Sequence, residues 1–482
     1  MFLGIDVGTS SLKVVLSDRN GKIVATESAT YDIYLPKEGW TEQNPNDWYQ
    51  AEIITIKRLG KKFDLSKIIA VSFCGQMHGL VLLDKNDYVI RPAILWNDNR
   101  TIDECKYLNE KIGKTKLIHY TGNIAFTGFT APKILWVKKH EPHLFKKIHK
   151  IMLPKDYAAY KMSAVFASDF SDSSGTLYLD VKHKCWSKPM LDILEITEKQ
   201  LPQLFESYQV IGNVSLNFAK LTGMSTKTKI IIGGGDQAVG AVGTGTVDNN
   251  QLSISLGTSG VVFAASQSFK SLSSGAMHSF CHANGRYHIM GVMLSAAGAF
   301  DWWLKNILKT NDFTLINKEM KMSQADNLYF LPYLTGERSP INNPYARGEF
   351  HNLALTHNRG DMSRAIIEGI NFGLLDCLNS ITALKIKPKV ARVIGGGAKS
   401  EIWLQMLADI LNIEVSKINT SEGGALGAII LAMVGTGRYK SISIACKQII
   451  RDVQIFKPNL KKHQYYLNKF RIWKKLYLKL YI

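Results

Sequence analysis

A chain of 482 residues is long enough for two or three domains with proper cores, and its 46% apolar content is that of an ordinary globular protein. Its apolar runs fall short of the ~18 residues that span a bilayer, and its six cysteines are scattered without a C-x-x-C pair, which excludes a membrane-spanning protein, a disulfide scaffold and a zinc motif. A net charge of +19 would suit nucleic acid or an anionic surface, but the lysines run along the whole chain as generic surface residues do, so neither partner is expected.

Met1 leads directly into Phe2-Leu3-Gly4-Ile5-Asp6 with no basic leader, so no signal peptide is expected, and a reducing cytoplasm is. Residues 3–28, LGIDVGTSSLKVVLSDRNGKIVATES, predict two strands around the tight Val7-Gly8-Thr9-Ser10 turn and a third after a turn at Asp18 to Gly21. Asp6 ends the first strand beside a turn rich in hydroxyls and backbone N–H groups. Such a turn can hold phosphate oxygens while the carboxylate takes a metal ion or its water; a plain structural turn is the other reading. EGWTEQNPNDWYQA (38–51) ends in a helix start capped by Asn46 or Asp47. KIIAVSFCGQMHGLVLLD (67–84) reads as strand, Gly75 turn and strand. The turn presents Gln76, Met77 and His78, groups that can grip a small hydroxylated ligand, although a His beside a turn is usually only exposed. ILWNDNRT (94–101) places Asn97, Asp98 and Arg100 at the end of an apolar strand, and ASDFSDSSGTLYLD (167–180) predicts a structural, hydroxyl-rich loop.

The chain is organised around KIIIGGGDQAVGAVGTG (229–245). Lys229 to Ile232 predict a buried strand, Gly233 to Gly235 allow tight turning, and Asp236 starts a helix whose Gly240, Ala241 and Gly243 permit close packing. A helix start after glycines favours an anionic ligand, and an acid there would repel phosphate unless it meets a hydroxyl or a metal. Asp236 as a simple helix cap is the competing reading. Next, LSISLGTSGVVFA (252–264) repeats the opening hairpin, with Ser255 at the place of Asp6. Two such hairpins predict an internal duplication: two α/β domains, 1–246 and 247–482, clamping a nucleotide triphosphate, with Asp6 alone serving the metal.

Further on, His278, Phe280 and His282 alternate as packing residues on a strand, and LTGERSPINNPYARGEF (334–350) is a loop at a candidate cleft edge. VARVIGGGAKSEIWLQMLADILNI (390–413) predicts a strand, a glycine loop that lets adenine or ribose approach the backbone, and a helix capped by Ser400. SEGGALGAIILAM (421–433) is a small-residue helix that must pack very closely. From Ile455 to Ile482 there are eight Lys or Arg residues and no acid, interleaved with Tyr465, Tyr466, Phe470, Trp473, Tyr477 and Leu478; this predicts a basic amphipathic helix docked on its own domain, with a membrane or RNA contact as the other reading.

Together these motifs resemble the FGGY carbohydrate kinases, and within that family the xylulokinase branch, from Leu3 to about Tyr439. GFTAPKILWVKKH (128–140) is similar to the family's first signature, GIDVGTSSLK and SLGTSG to its two phosphate loops, and GGGAKSEIWLQMLADI to its nucleotide-side loop. SFCGQMHG resembles the xylulokinase form of the sugar loop. The resemblance implies two actin-like, ribonuclease-H-like ATPase domains with an interdomain cleft, and ATP with Mg²⁺. It implies Asp236 as general base on the terminal hydroxyl of D-xylulose, with Gln76, Met77, His78, Asp236 and Gln237 about the sugar. It implies Asp6, Thr9, Ser10, Gly257, Thr258, Ser259, Gly396, Gly397 and Ala398 about the nucleotide, Asp6 meeting Mg²⁺ through a bound water. An Asp at a helix N-terminus is expected to have a low pKa and to be a poor base, which phosphoryl transfer tolerates. A kinase for ribulose or gluconate, and a non-catalytic actin-like sugar sensor, stand as alternatives; a homodimer is left open.

Overall fold

The computed structural model describes residues 1–323, 326–420 and 423–481. Ser421, Glu422 and Ile482, which belong to two of the predicted helices, lie outside the described residues.

Among the described residues the first half builds a six-stranded sheet from β1 (Phe2–Val7), β2 (Ser11–Ser17), β3 (Ile23–Thr30), β4 (Ala70–Gly75), β5 (Val210–Asn213) and β6 (Lys229–Gly235), in the order β5-β6-β4-β1-β2-β3. The second half builds a seven-stranded one from β7 (Leu252–Leu256), β8 (Gly260–Ser266), β9 (His278–Cys281), β10 (Tyr287–Met293), β11 (Val390–Ile394), β12 (Glu414–Ile418) and β13 (Asp452–Phe456), in the order β9-β10-β8-β7-β11-β12-β13. The two repeat one pattern. In the first, β3-β2-β1 is an antiparallel meander, β4 and β6 join parallel, and β5 closes antiparallel. In the second, β10-β8-β7 is the meander, β11 and β12 the parallel strands, and β13 the antiparallel edge. The hairpins correspond too, although the second closes sooner: Val7 faces Leu12, whereas Leu256 faces Gly260.

The central strands are apolar throughout because both faces are covered; β1 and β4 are buried along nearly their whole length. The three glycines after Ile232 continue β6 instead of forming a turn. Bending is confined to Gly233, at φ +72°, where the pairing with β4 shifts by a bulge. In the first half, α1 spans Thr130–His140, α2 spans Phe170–Ser173 and α3 spans Asp236–Gly243. The helix after residue 44 starts earlier than capping by Asn46 or Asp47 predicts, since Asn44 caps it and Pro45 takes its first position.

In the second half, α4 is Arg359–Ala383, α5 Glu401–Leu411, α6 Gly423–Gly435 and α7 Leu460–Tyr481. Helix α6 leaves its own half and packs on β1, β4 and α3 of the first. Its glycines make that possible: a Cβ on Gly427 would collide with the Val239 carbonyl, and one on Gly243 with that of Gly423. The basic tail docks on its own half as predicted. Tyr466, Phe470, Trp473, Leu476 and Tyr477 enter the second core, Trp473 Nε1 donates to the Phe330 carbonyl at 2.8 Å, and Lys469 meets Glu368 at 2.5 Å.

Candidate active site

β6 ends by delivering Asp236 as the first residue of α3, directly beside the end of β1 that carries Asp6. Gly235, not Asp236, is the residue at the cap position, and no side chain caps this helix. Asp6, Lys13, Asp236, Gln237, Ser255 and Gly424 share one cavity of about 250 Å³, so both sheets and α6 contribute to its walls. Room for this cavity depends on Gly424, whose missing Cβ would stand 2.9 Å from Asp6 Oδ2.

The expected low pKa of Asp236 is overturned. Burial, and then the negative charge of Asp6, push its carboxyl up from 3.8 to about 7, although Gln237 donates to it from both backbone and side chain. Desolvation outweighs the partial charge of a short helix's end. A carboxyl balanced near neutrality can take up a proton at working pH, which an ordinary aspartate does poorly.

A second cavity, about 690 Å³, opens on the other face of the β7–β8 hairpin. Gly257, Thr258, Gly396 and Gly397 line it together with Phe300 and Trp403. Hairpin and glycine loop touch: a Cβ on Gly395 would fall 2.6 Å from the Leu256 carbonyl. Gly396 opens a short 3₁₀ turn that includes buried Ala398, and Ser400 caps α5 by accepting from Trp403 N, as predicted. Ser259 is half-buried, while Ser10 is exposed at the tip of the first hairpin.

The 76–78 turn splits by role. Gln76 faces the first hairpin. Its amide donates to Gln43 Oε1 at 3.0 Å and to the Gly8 carbonyl at 3.4 Å, and its oxygen accepts from Thr9 Oγ1 at 3.3 Å. Thr9 also accepts from Trp96 Nε1 at 3.0 Å, so both side chains brace the turn. Met77 lies against Gly235, where a Cβ would come within 2.9 Å of its thioether. His78 is half-buried at φ 70° and stacks on Phe129 at 4.8 Å. Lys133 and Thr130 of α1 hold its carbonyl, at 2.8 and 3.1 Å. Its Nδ1 stands 2.8 Å from the Gly175 carbonyl, which can only accept, so Nδ1 carries the proton and Nε2 is left as an acceptor. Burial first, then the charge of Lys133 and, after the opposing Gly175 bond, that of Arg338, bring its pKa down to about 3; the ring is neutral.

Of the other candidates, Asp98 and Arg100 form a fully buried fork whose guanidinium lies against the perpendicular rings of Trp40 and Trp136, and they are structural. Residues 167–176 are not a loop. They form a strand end, the helix α2 and a 3₁₀ turn, tied to β6 by Ser171, which accepts from Gly235 N at 3.2 Å. This segment carries Asp172, a buried carboxyl that sequence reasoning missed because Ser-rich stretches read as surface. Burial, opposed by Lys155 and reinforced by Asp156, Asp169 and Asp236, holds it well above the carboxylate range. Also missed were Lys13, whose signal is a cation inside an apolar strand, and Asp301, Phe313 and Asn317, which carried none.

The N-terminal domain description of the FGGY family of carbohydrate kinases matches residues 1–243, and its C-terminal domain description matches residues 252–436. A xylulose kinase of Escherichia coli (strain K12) is 42% identical over 100% of this chain and 99% of that relative. Among solved structures, a xyloylose kinase from Brucella ovis superposes with TM-score 0.94 at 34% identity, covering 99% of each chain. A gluconate kinase from Lactobacillus acidophilus gives TM-score 0.95 at 29% identity, over 99% of this chain and 98% of that one.

Proposed function

The chain belongs to the FGGY family of carbohydrate kinases, and from that premise we propose that it transfers the γ-phosphoryl group of ATP to the terminal hydroxyl of D-xylulose, giving the 5-phosphate. The observation that carries the reading is the pairing of Asp6 and Asp236 on one cavity walled by both sheets, with the Asp236 carboxyl poised near neutrality. Asp236 accepts the hydroxyl proton as that oxygen attacks phosphorus and ADP departs. Because phosphoryl transfer is largely dissociative, holding the two substrates in line matters more than the strength of the base.

The sugar rests on Met77, neutral His78 and Gln237, with Gln76 acting through the hairpin it braces. ATP lies along Thr9, Ser10, Thr258 and Ser259, its base in the cavity beside Gly396, Gly397 and Ala398. Domains 1–246 and 247–482 are the two sides of this clamp, a division supported by the two sheets each drawing on one half of the chain. The donor set suits Mg²⁺. Among the described residues no group of three or more His, Cys, Asp or Glu could hold a metal unaided. Mg²⁺ commonly takes one or two carboxylates beside substrate phosphates, and Asp6 offers one. Asp6 would hold the ion through a bound water, and the ion would neutralise phosphate charge.

No helix among the described residues is long and apolar enough to cross a membrane, and the six cysteines are free, which supports a reducing compartment. The second reading is gluconate as acceptor, favoured by the equally good superposition of a gluconate kinase. A panel of ketoses, polyols and aldonates in an ATP-consumption assay decides it: D-xylulose should give the highest kcat/KM, and a better gluconate or ribulose value would refute the assignment.

A further inference from the structure

The loop 334–350 carries a cation that the proposed mechanism leaves unused. Its backbone is pinned to β10 and to itself. Glu337 Oε1 accepts from Leu294 N at 3.0 Å and Arg338 N at 2.7 Å, Ser339 N donates to the Val292 carbonyl at 2.9 Å, and Asn342 N to the Arg338 carbonyl at 2.6 Å. From this fixed base the Arg338 side chain reaches the first half. Its Nη2 lies 3.9 Å from where a Cβ on Gly128 would stand. The Gly128 and His78 carbonyls share one donor, Lys133 Nζ, at 2.7 and 2.8 Å, so the guanidinium sits at the wall that carries His78. Its charge is felt by both His78 and His278.

Among the described residues the half-buried guanidinium has no hydrogen-bond or ion-pair partner; the facing histidines are neutral, and the adjacent Glu337 uses one oxygen on backbone N–H groups. A guanidinium offers five donors in a planar fork and is costly to bury without acceptors. The same wall offers the complement, the acceptor Nε2 of His78. A fork of donors beside an acceptor suits a ligand whose neighbouring oxygens both give and take hydrogen bonds, which describes a polyhydroxy ketone.

We propose that Arg338 of the second half hydrogen-bonds the sugar held at the 76–78 turn of the first, so that the acceptor substrate itself bridges the two halves. The inference rests on the kinase reading. It makes Arg338 a specificity-determining residue and ties closure of the clamp to the sugar rather than to the nucleotide.

The test uses the full chain with Arg338→Met and Arg338→Lys, after the wild type has been assayed on the sugar panel. With D-xylulose, Arg338→Met should raise the sugar KM about tenfold or more and leave the ATP KM within about twofold, as expected when a charged hydrogen bond is lost. It should keep the unliganded melting temperature and lose the melting shift that sugar alone produces. Arg338→Lys, with charge but no fork, should recover only part of the sugar KM. An unchanged sugar KM, or equal rises for sugar and ATP, would overturn the proposal. So would a lower unliganded melting temperature with the sugar shift retained. If the wild type ignores D-xylulose but turns over another sugar, the substrate assignment has failed instead. The variants are then measured on that sugar, where an unchanged KM sinks the role of Arg338.

Discussion

Replacing Asp236 by Asn separates chemistry from folding in one experiment. The Asn side chain keeps the shape of the protonated acid but cannot accept a proton. Losing a general base costs about 10² to 10⁴ in rate, or about 3 to 5 kcal/mol of barrier, so kcat should fall by that factor. Stability should move the other way. The carboxyl titrates near 3.8 when unfolded and at about 7 when folded. Between those values the folded state binds the extra proton, so wild-type stability falls as pH rises from about 4 to 7, and above 7 the ionised group is carried at full cost. At ~1.36 kcal/mol per pH unit the difference amounts to about 4 kcal/mol as an upper bound, and about 2 after solvent and local relaxation at a half-buried group. Asp236→Asn should therefore stabilise the protein at pH 8 by about 2 kcal/mol, and by no more than about 1 kcal/mol at pH 4.5, where the unfolded carboxyl is already mostly ionised. Denaturation at both pH values, together with single-substrate kinetics, measures both effects. A variant with near wild-type kcat, or one whose stability change is the same at both pH values, would refute the assignment of a desolvated base.

His78→Ala should raise the KM for D-xylulose about tenfold and spare that for ATP. Because the ring titrates at about 3, the His78-dependent part of sugar binding should stay flat from pH 5 to 8; a step near 6.5 would contradict this. Trp473, 2% exposed and bonded to Phe330, anchors the tail, so Trp473→Ala should cost about 3–5 kcal/mol in a melting experiment, and deletion of 460–482 should cost more. Gly427→Ala drives a methyl into the Val239 carbonyl and should destabilise by at least about 1–3 kcal/mol, whereas Gly240→Ala, with nothing within 4 Å of the new Cβ, should gain about 0.5–1 kcal/mol of helix propensity. Equal behaviour of the two glycine variants would contradict the packing of α6 on α3.

Short-range chemistry was legible before any fold was known. Both Gly-Thr-Ser hairpins, the apolar strand leading to Asp236, the Ser400 cap and the amphipathic tail each follow from a few adjacent residues, because turn geometry, capping and periodicity are local properties. Even the duplication showed, since two similar local patterns produced two sheets of one topology. What a side chain meets across the chain was not legible. Gln76 sits in the predicted turn, yet Gly8, Thr9 and Gln43 claim its amide. Asp172 and Arg338 look like surface residues in their own segments, and folding sets one beside Asp236 and the other beside His78. The pKa of Asp236 is the sharpest case. Its neighbours in sequence, a helix start and Gln237, argue for a strong acid; burial and the distant Asp6 reverse the sign. Desolvation and Coulomb energy depend on distance through space and on the water removed, and only the tertiary structure fixes either.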